Sequence, residues 1–274
     1  MKTELISEIF EKLKIENAND SSIKIVEDKN YKFGLKKEHF FVHKKVDNLD
    51  VGAYSIFNFE NVFESVENQK YLIEKLSTEL KKFLSKTNTK KILIVGLGNR
   101  HISADSLGAK VIKNIIVTRH IKNLKTLKNV SAICPSVLGL TGIESYDIVS
   151  SVVNETKPTL VITIDSLCAS SETRLGCSFQ INNASIIPGG GVNNKRKVFN
   201  SKTLNADFIS IGVPLVIYAN TFCNLTKRSL NNLVVTLKDI EEVSLISSNI
   251  ISYSLNMAIH NLTFNDVKNY LNKL

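Results

Sequence analysis

The chain has 274 residues, 43% of them hydrophobic, and 35 lysines and arginines set against 26 aspartates and glutamates give it a formal charge of +9. That is enough apolar content for one large domain with a real core, and no apolar run reaches the length that crosses a bilayer. Its 4 cysteines form no CxxC pair and its 5 histidines no HExxH arrangement, so neither a disulfide framework nor a zinc site is expected.

Residues 3–14 place Leu5, Ile6, Ile9, Phe10 and Leu13 at helical spacing. The N-terminus alternates charged and apolar residues without a signal-peptide core, so a soluble, cytoplasmic protein is expected. Residues 22–60 read as short strands, and His39 and His43 fall in this extended, basic stretch. "YLIEKLSTELKKFL" is an amphipathic helix with lysines toward its end. From "KKILIVGLGN" onward strands and helices alternate. "ILIV" (92–95) fits a buried parallel strand, residues 103–117 a helix and "VSAICP" a strand. "ESYDIVSSVVNETK" is a helix stopped before Pro158, and "TLVITID" (159–165) is the clearest strand. "SFQINN" and "ADFISIGVP" supply two more, and 227–274 is helical with a Thr-x-x-Asp start in "TFNDVKNYLNKL". The pattern predicts an α/β fold with a mostly parallel sheet flanked by helices on both faces. One domain spans 1–274, with 22–60 as a strand-rich extension and 227–274 as a helical C-terminal segment.

"GLGNRHISADSLG" resembles a nucleotide-binding loop at first sight. The third glycine of that fingerprint is replaced by His101, and no ribose-binding acid follows a later strand. The loop instead presents Asp105. Ser103 as N-cap would set Asp105 in a first helical turn, where a carboxylate can serve the helix dipole alone. Asp165 ends "LVITID", and a carboxylate closing a buried strand needs compensation for lost water. In sheets of this kind ligands sit beyond the carboxyl ends of the strands. Two carboxylates there form a candidate acid–base pair, one protonated and one charged, able to activate water and protonate a leaving amine. "PGGGVNNKRK" (188–197) offers backbone donors and the only dense basic cluster, which suits a phosphate, a carboxylate or a plain surface turn. No aromatic residue interleaves with it, which argues against direct nucleic-acid recognition.

Six stretches, "VGLGNRHISADSLG", "IIVTRH", "CPSVLGLTGIES", "ITIDSLCAS", "PGGGVNNKRK" and "ISIGVPLVI", occur in the order found in the germination protease family of spore-forming bacteria, which this chain resembles from about 91 to 217. The resemblance implies an aspartic-type endopeptidase that degrades small acid-soluble spore proteins in the spore core at germination. It implies Asp105 and Asp165 as the essential aspartates, no required cofactor, a homotetramer, a precursor with an N-terminal propeptide, and a fold like that of hydrogenase-maturation proteases. Met1 stands just before "TELISE", which leaves little to remove. The family's Thr-Pro before the first aspartate is Ser103-Ala104 here, and Ser170 stands where the family has arginine. The family's substrates carry glutamates flanking small and apolar residues, and "TELISEI" (3–9) is similar. Arg100, Arg119, Arg174, Lys195 and Arg196 are the expected substrate-binding cations. A maturation-type protease of the same fold, or a catalytically silent binder of acidic peptides through "NNKRK", are the alternatives.

Overall fold

Nine strands join into a single sheet in the computed structural model, which describes residues 3–16, 22–28, 31–46, 49–122, 126–187, 197–222 and 233–272. In chain order the strands are β1 (Ile23–Asp28), β2 (Lys36–Val42), β3 (Gly52–Asn58), β4 (Lys91–Gly96), β5 (Asn129–Ile133), β6 (Leu160–Ala169), β7 (Ser178–Asn182), β8 (Ser185–Ile186), β9 (Phe199–Asn200), β10 (Asp207–Tyr218) and β11 (Val234–Val235). The sheet order is β1-β2-β3-β7-β10-β6-β4-β5, with β11 also on β10, while β8 and β9 pair separately. The helices are α1 (Ile6–Glu16), α2 (Val66–Leu84), α3 (Leu107–Lys113), α4 (Leu138–Thr141), α5 (Ser145–Thr156), α6 (Ser201–Leu204), α7 (Ile240–His260) and α8 (Phe264–Leu271).

The sheet is parallel only in its β5-β4-β6-β10 half. From β10 outward, β7, β3, β2 and β1 are each antiparallel to their neighbours. The "mostly parallel" expectation therefore describes the half that carries the two aspartates. The early strands 22–60 extend the same sheet, because β3 finds its partner in β7.

Helices cover both faces, which is why β4 and β6 read as continuous apolar runs. On one face, Leu72, Leu76 and Leu80 of α2, Leu107 and Val111 of α3, and Ile250, Ile251 and Leu255 of α7 pack on Ile92, Ile94, Ile162 and Ile164. On the other, Leu5, Ile6 and Ile9 at α1, Val149 and Val153 of α5, and Leu204 of α6 pack on Leu93, Val95, Val161 and Leu167. Ser65 caps α2 by accepting the N–H of Asn68, and Thr263 and Asp266 form a reciprocal capping box on α8.

Among the polar groups buried inside this frame, an ion pair and a histidine bear on stability. Between β2 and α2, Lys37 Nζ meets Glu79 at 2.7 Å, both side chains only 4% exposed. The Glu79 carboxylate also accepts from Ser55 Oγ (2.9 Å) and faces Lys82 (3.2 Å). Burial alone would raise the Glu79 carboxyl, but the Lys37 hydrogen bond and charge, with His39 and Ser55, outweigh it and hold it below its usual value.

At the end of α7, His260 Nδ1 accepts the N–H of Lys128 at 3.2 Å, so the ring proton sits on Nε2, 3.2 Å from the Ile116 carbonyl. Burial lowers the His260 pKa, and the Ile116 carbonyl opposes this only in part. A lowered folded-state pKa means the unfolded chain takes up the proton first. Its contribution is whole above the ordinary histidine value and is lost as pH falls through and below about 6.5. His260→Asn should flatten stability against pH in that range, by a slope no steeper than about 1.4 kcal/mol per pH unit. Urea melts of both chains from pH 7.5 down to 5 check this, and parallel curves would refute it.

Candidate active site

The glycines of "GLGNRHISADSLG" serve packing and a turn. A Cβ on Gly108 would lie 2.4 Å from the Leu97 carbonyl oxygen, so α3 can rest directly on the end of β4. Gly98 has φ +95°, and a Cβ there would lie 2.1 Å from the Asp105 carbonyl oxygen and 2.7 Å from Asp105 Oδ1. The loop thus folds back until the Asp105 carboxylate stands on Gly98. Asp105 Oδ2 accepts the N–H of Asn99 at 2.8 Å, which closes the loop.

Asp105 does not occupy a first α-helical turn, as the sequence suggests. It ends a single 3-10 turn, Ser103–Asp105, and α3 begins only at Leu107. Ser103 makes no side-chain cap to that turn, whose N-cap position is Ile102. One oxygen of the carboxylate is drawn back to Asn99, and the N-cap position of α3 falls to Ser106. The turn lies against β6, β10 and α7.

Asp165 does not end its strand either. β6 runs on to Ala169 because Ser166–Ala169 keep pairing with β10. What ends before Asp165 is the pairing with β4: the last register pair is Gly96 with Ile164, followed by Leu97 N–H to the Ile164 carbonyl at 2.8 Å. Asp165 is thus the first β6 residue beyond the rim of β4, where the Asp105 loop turns over. It is 3% exposed, and Oδ1 accepts the N–H of Ser166 at 2.9 Å. The rim of β4 and β6 brings both carboxylates to one end of the sheet.

Of the expected cations, Arg100 stays in the aspartate loop, exposed and close enough to Cys134 to lower the thiol that burial raises. Arg119 lies at the opposite edge: its N–H reaches Val130, near the start of β5, and its guanidinium donates to the Thr156 carbonyl at 3.2 Å. The cause is the chain direction, since Arg119 follows α3 back to the amino end of the sheet. Arg174 pairs with Glu11 of α1 at 3.2 Å. Lys195 and Arg196, with the triple glycine, lie outside the described residues, and the neighbouring Lys197 holds Asp147 at 2.6 Å.

Sequence reasoning missed how "TELISE" is used. Residues 3–8 lie on the end of β6, with the Glu4 N–H donating to the Cys168 carbonyl and the Cys168 N–H donating to the Glu4 carboxylate, each at 2.9 Å. The Glu8 carboxylate, buried, accepts from Ser170 N–H (2.8 Å), Ser170 Oγ (2.9 Å), Ser171 N–H (2.9 Å) and the Thr3 hydroxyl. Gln180 of β7 holds the same segment, accepting the Ile6 N–H at 2.9 Å and donating to the Glu4 carbonyl at 3.2 Å. The glutamates alone were a signal; their neutral receptors, scattered over strand ends, were not readable.

Among known proteins, the family model described as germination protease matches residues 5–230. The germination protease of Clostridium tetani is 33% identical over 275 aligned positions, covering 84% of this chain and 85% of that protein. That of Clostridium acetobutylicum is 33% identical over 222 positions (78% of this chain, 64% of that protein), and that of Bacillus subtilis 40% over 173 (58% and 47%). The chain thus spans between about half and most of the length of these relatives. A solved [NiFe] hydrogenase maturation protease HycI from Thermococcus kodakarensis aligns over 65% of this chain and 98% of that one, at 18% identity and a TM-score of 0.39. With the family's model matched from the first helix through β10, and a relative 33% identical over 84% of this chain, the chain belongs to the germination protease family.

Proposed function

We propose that the chain is an endopeptidase that cuts small acid-soluble spore proteins when spores germinate, using Asp105 and Asp165 to activate water. The observation that carries this reading is the glycine-built return of the Asp105 loop onto the rim of β4 and β6, where Asp165 begins the stretch of its strand that runs past β4. In this reading the two carboxylates share one proton at the rim. The charged one takes a proton from water as its oxygen attacks the scissile carbonyl. The neutral one gives its proton to the carbonyl oxygen, and collapse of the tetrahedral intermediate returns a proton to the leaving amine. The homotetramer, the precursor form and the spore core belong to the same reading through family membership. Incubating the purified chain with small acid-soluble spore proteins tests it: discrete cleavage products are expected, unchanged by a chelator, and intact substrate would overturn it.

Gly98 gives a sharper handle. Gly98→Ala asks an L residue to hold φ +95° and drives its methyl into the Asp105 carbonyl, so the loop must shift. A displacement near 1 Å at a catalytic group costs about 100-fold in rate. Turnover should fall by about that factor while the melting temperature drops by only a few degrees. Full activity in the variant would show that Asp105 needs no such placement.

A further inference from the structure

A cavity of about 290 Å³ opens between α2 and the antiparallel half of the sheet. His39 and Phe41 reach it from β2 and Ala53 and Ser55 from β3, on the face that packs against α2. Asp165 lies on the opposite face, with Val161 and Leu167. The cavity is therefore separate from the rim that carries the two aspartates. Its body is apolar: Val26, Phe41, Ala53 and Phe83 form the walls, and Val26, on the outer edge strand, is left 42% exposed. Apolar surface inside a concavity gains most from a ligand that takes it out of water.

The polar side of the cavity decides the charge of that ligand. Glu79, the carboxylate in its lining, is already matched by Lys37 at 2.7 Å, Lys82 at 3.2 Å and the Ser55 hydroxyl at 2.9 Å. Ser55, having given its proton to Glu79, accepts from His39 Nδ1 at 2.9 Å. A cationic ligand would find its anion taken. The donors are less engaged. Asn183 spends its Oδ1 on the Ala53 N–H at 2.9 Å and keeps its Nδ2 hydrogens, and Lys86 has no ion pair among the described residues. One such ammonium and a carboxamide donor beside apolar walls suit a single carboxylate. A second carboxylate on the ligand would lie against the rings or against Glu79. The walls combine a β-branched side chain, a methyl and two rings, an irregular lining that a flexible chain follows better than a flat ring does. At about 30 Å³ for each water-sized group, the volume holds about ten non-hydrogen atoms, those of an acid about eight carbons long. We propose that this cavity binds a small aliphatic monocarboxylate, its chain among Val26, Phe41 and Phe83 and its carboxylate at Lys86 and Asn183. The site does not depend on the peptidase reading.

Calorimetric titration of the full chain with sodium octanoate tests the site. A single site with a Kd of about 0.1 to 1 mM is expected for a chain of that length largely withdrawn from water. Octanol lacks the charge and octanedioate carries a second one, and each should bind about fivefold more weakly or worse. Lys86→Gln should weaken octanoate several-fold and leave octanol unchanged, a split that a merely structural role for Lys86 would not produce. Val26→Glu sets a like charge on the exposed wall and should weaken octanoate about tenfold or more. Ala53→Leu fills the cavity and should weaken octanoate and octanol alike. Circular dichroism and melting check each variant, and should Ala53→Leu not fold, Val26→Glu, at an exposed position, decides in its place. Absence of octanoate binding at millimolar concentration, an affinity unmoved by Val26→Glu, or equal affinity for octanol would each overturn the proposal. Cleavage of spore proteins forms no part of the readout, so this result and the fate of the peptidase reading are told apart.

Discussion

Asp105→Asn and Asp165→Asn should each lower turnover by about a thousandfold or more, while the folded protein survives. General acid–base catalysis by a placed side chain is worth about 10² to 10⁴ in rate, and asparagine can neither accept the proton of the attacking water nor return it. The carboxamide keeps a carbonyl oxygen, so Asn99 N–H and Ser166 N–H retain their acceptors. Asparagine keeps the shape and volume of Asp165, which is 3% exposed, so the melting temperature should change by only a few degrees. The measurement is kcat/KM on a spore-protein substrate beside a thermal melt. A folded variant with more than a tenth of normal activity would remove that aspartate from the chemistry.

The second large effect concerns stability. Glu79→Leu should cost about 3 kcal/mol, because Lys37, at 4% exposure, loses its 2.7 Å partner and keeps the half-exposed Asp28 at 3.6 Å and the face of the Phe57 ring. Lys37→Met should cost less, since Lys82, Ser55 and His39 still face Glu79. The double variant should recover most of the loss, since two apolar side chains of similar bulk fill the space without a stranded charge. Because the folded-state Glu79 pKa is lowered, its contribution is present above the ordinary carboxylate value and fades as pH falls through it. Urea denaturation of the four chains at pH 7 measures the cycle, and strictly additive losses would show that the pair is not coupled.

The sequence shows the fold where one physical signal dominates. "ILIV" and "TLVITID" are buried on both faces, and their unbroken apolar runs say so directly. The antiparallel half was less visible because its pairing is set at a distance: Tyr54 registers with Asn182, and no local pattern in "GAYSIFN" announces that partner. At the site, both aspartates stood out as carboxylates where apolar runs stop. Their local settings did not. The run "LVITID" looks finished at Asp165, yet β10 carries the strand four residues farther, and Gly98 is a helix-loop glycine by spacing but a seat for Asp105 by conformation. Arg119 was misplaced because neighbours in sequence along "IIVTRH" return to the far edge of the sheet.

The register of β3 also sets a timetable. Its partner β7 lies about 130 residues farther along the chain, with Tyr54 waiting for Asn182. At a synthesis rate of roughly 5–20 residues per second, one edge of β3 stays uncovered for roughly 6–26 s, carrying the apolar run of Tyr54, Ile56 and Phe57. The first three strands can form their meander early, and β1 is the outer edge, with Lys24, Glu27 and Asp28 along it to discourage a stranger. The inner edge has no such guard, because in the finished protein it is an interior seam. Nascent chains of this fold therefore emerge with an uncovered apolar strand edge, and crowding of ribosomes on one message brings such edges together before β7 arrives to close them.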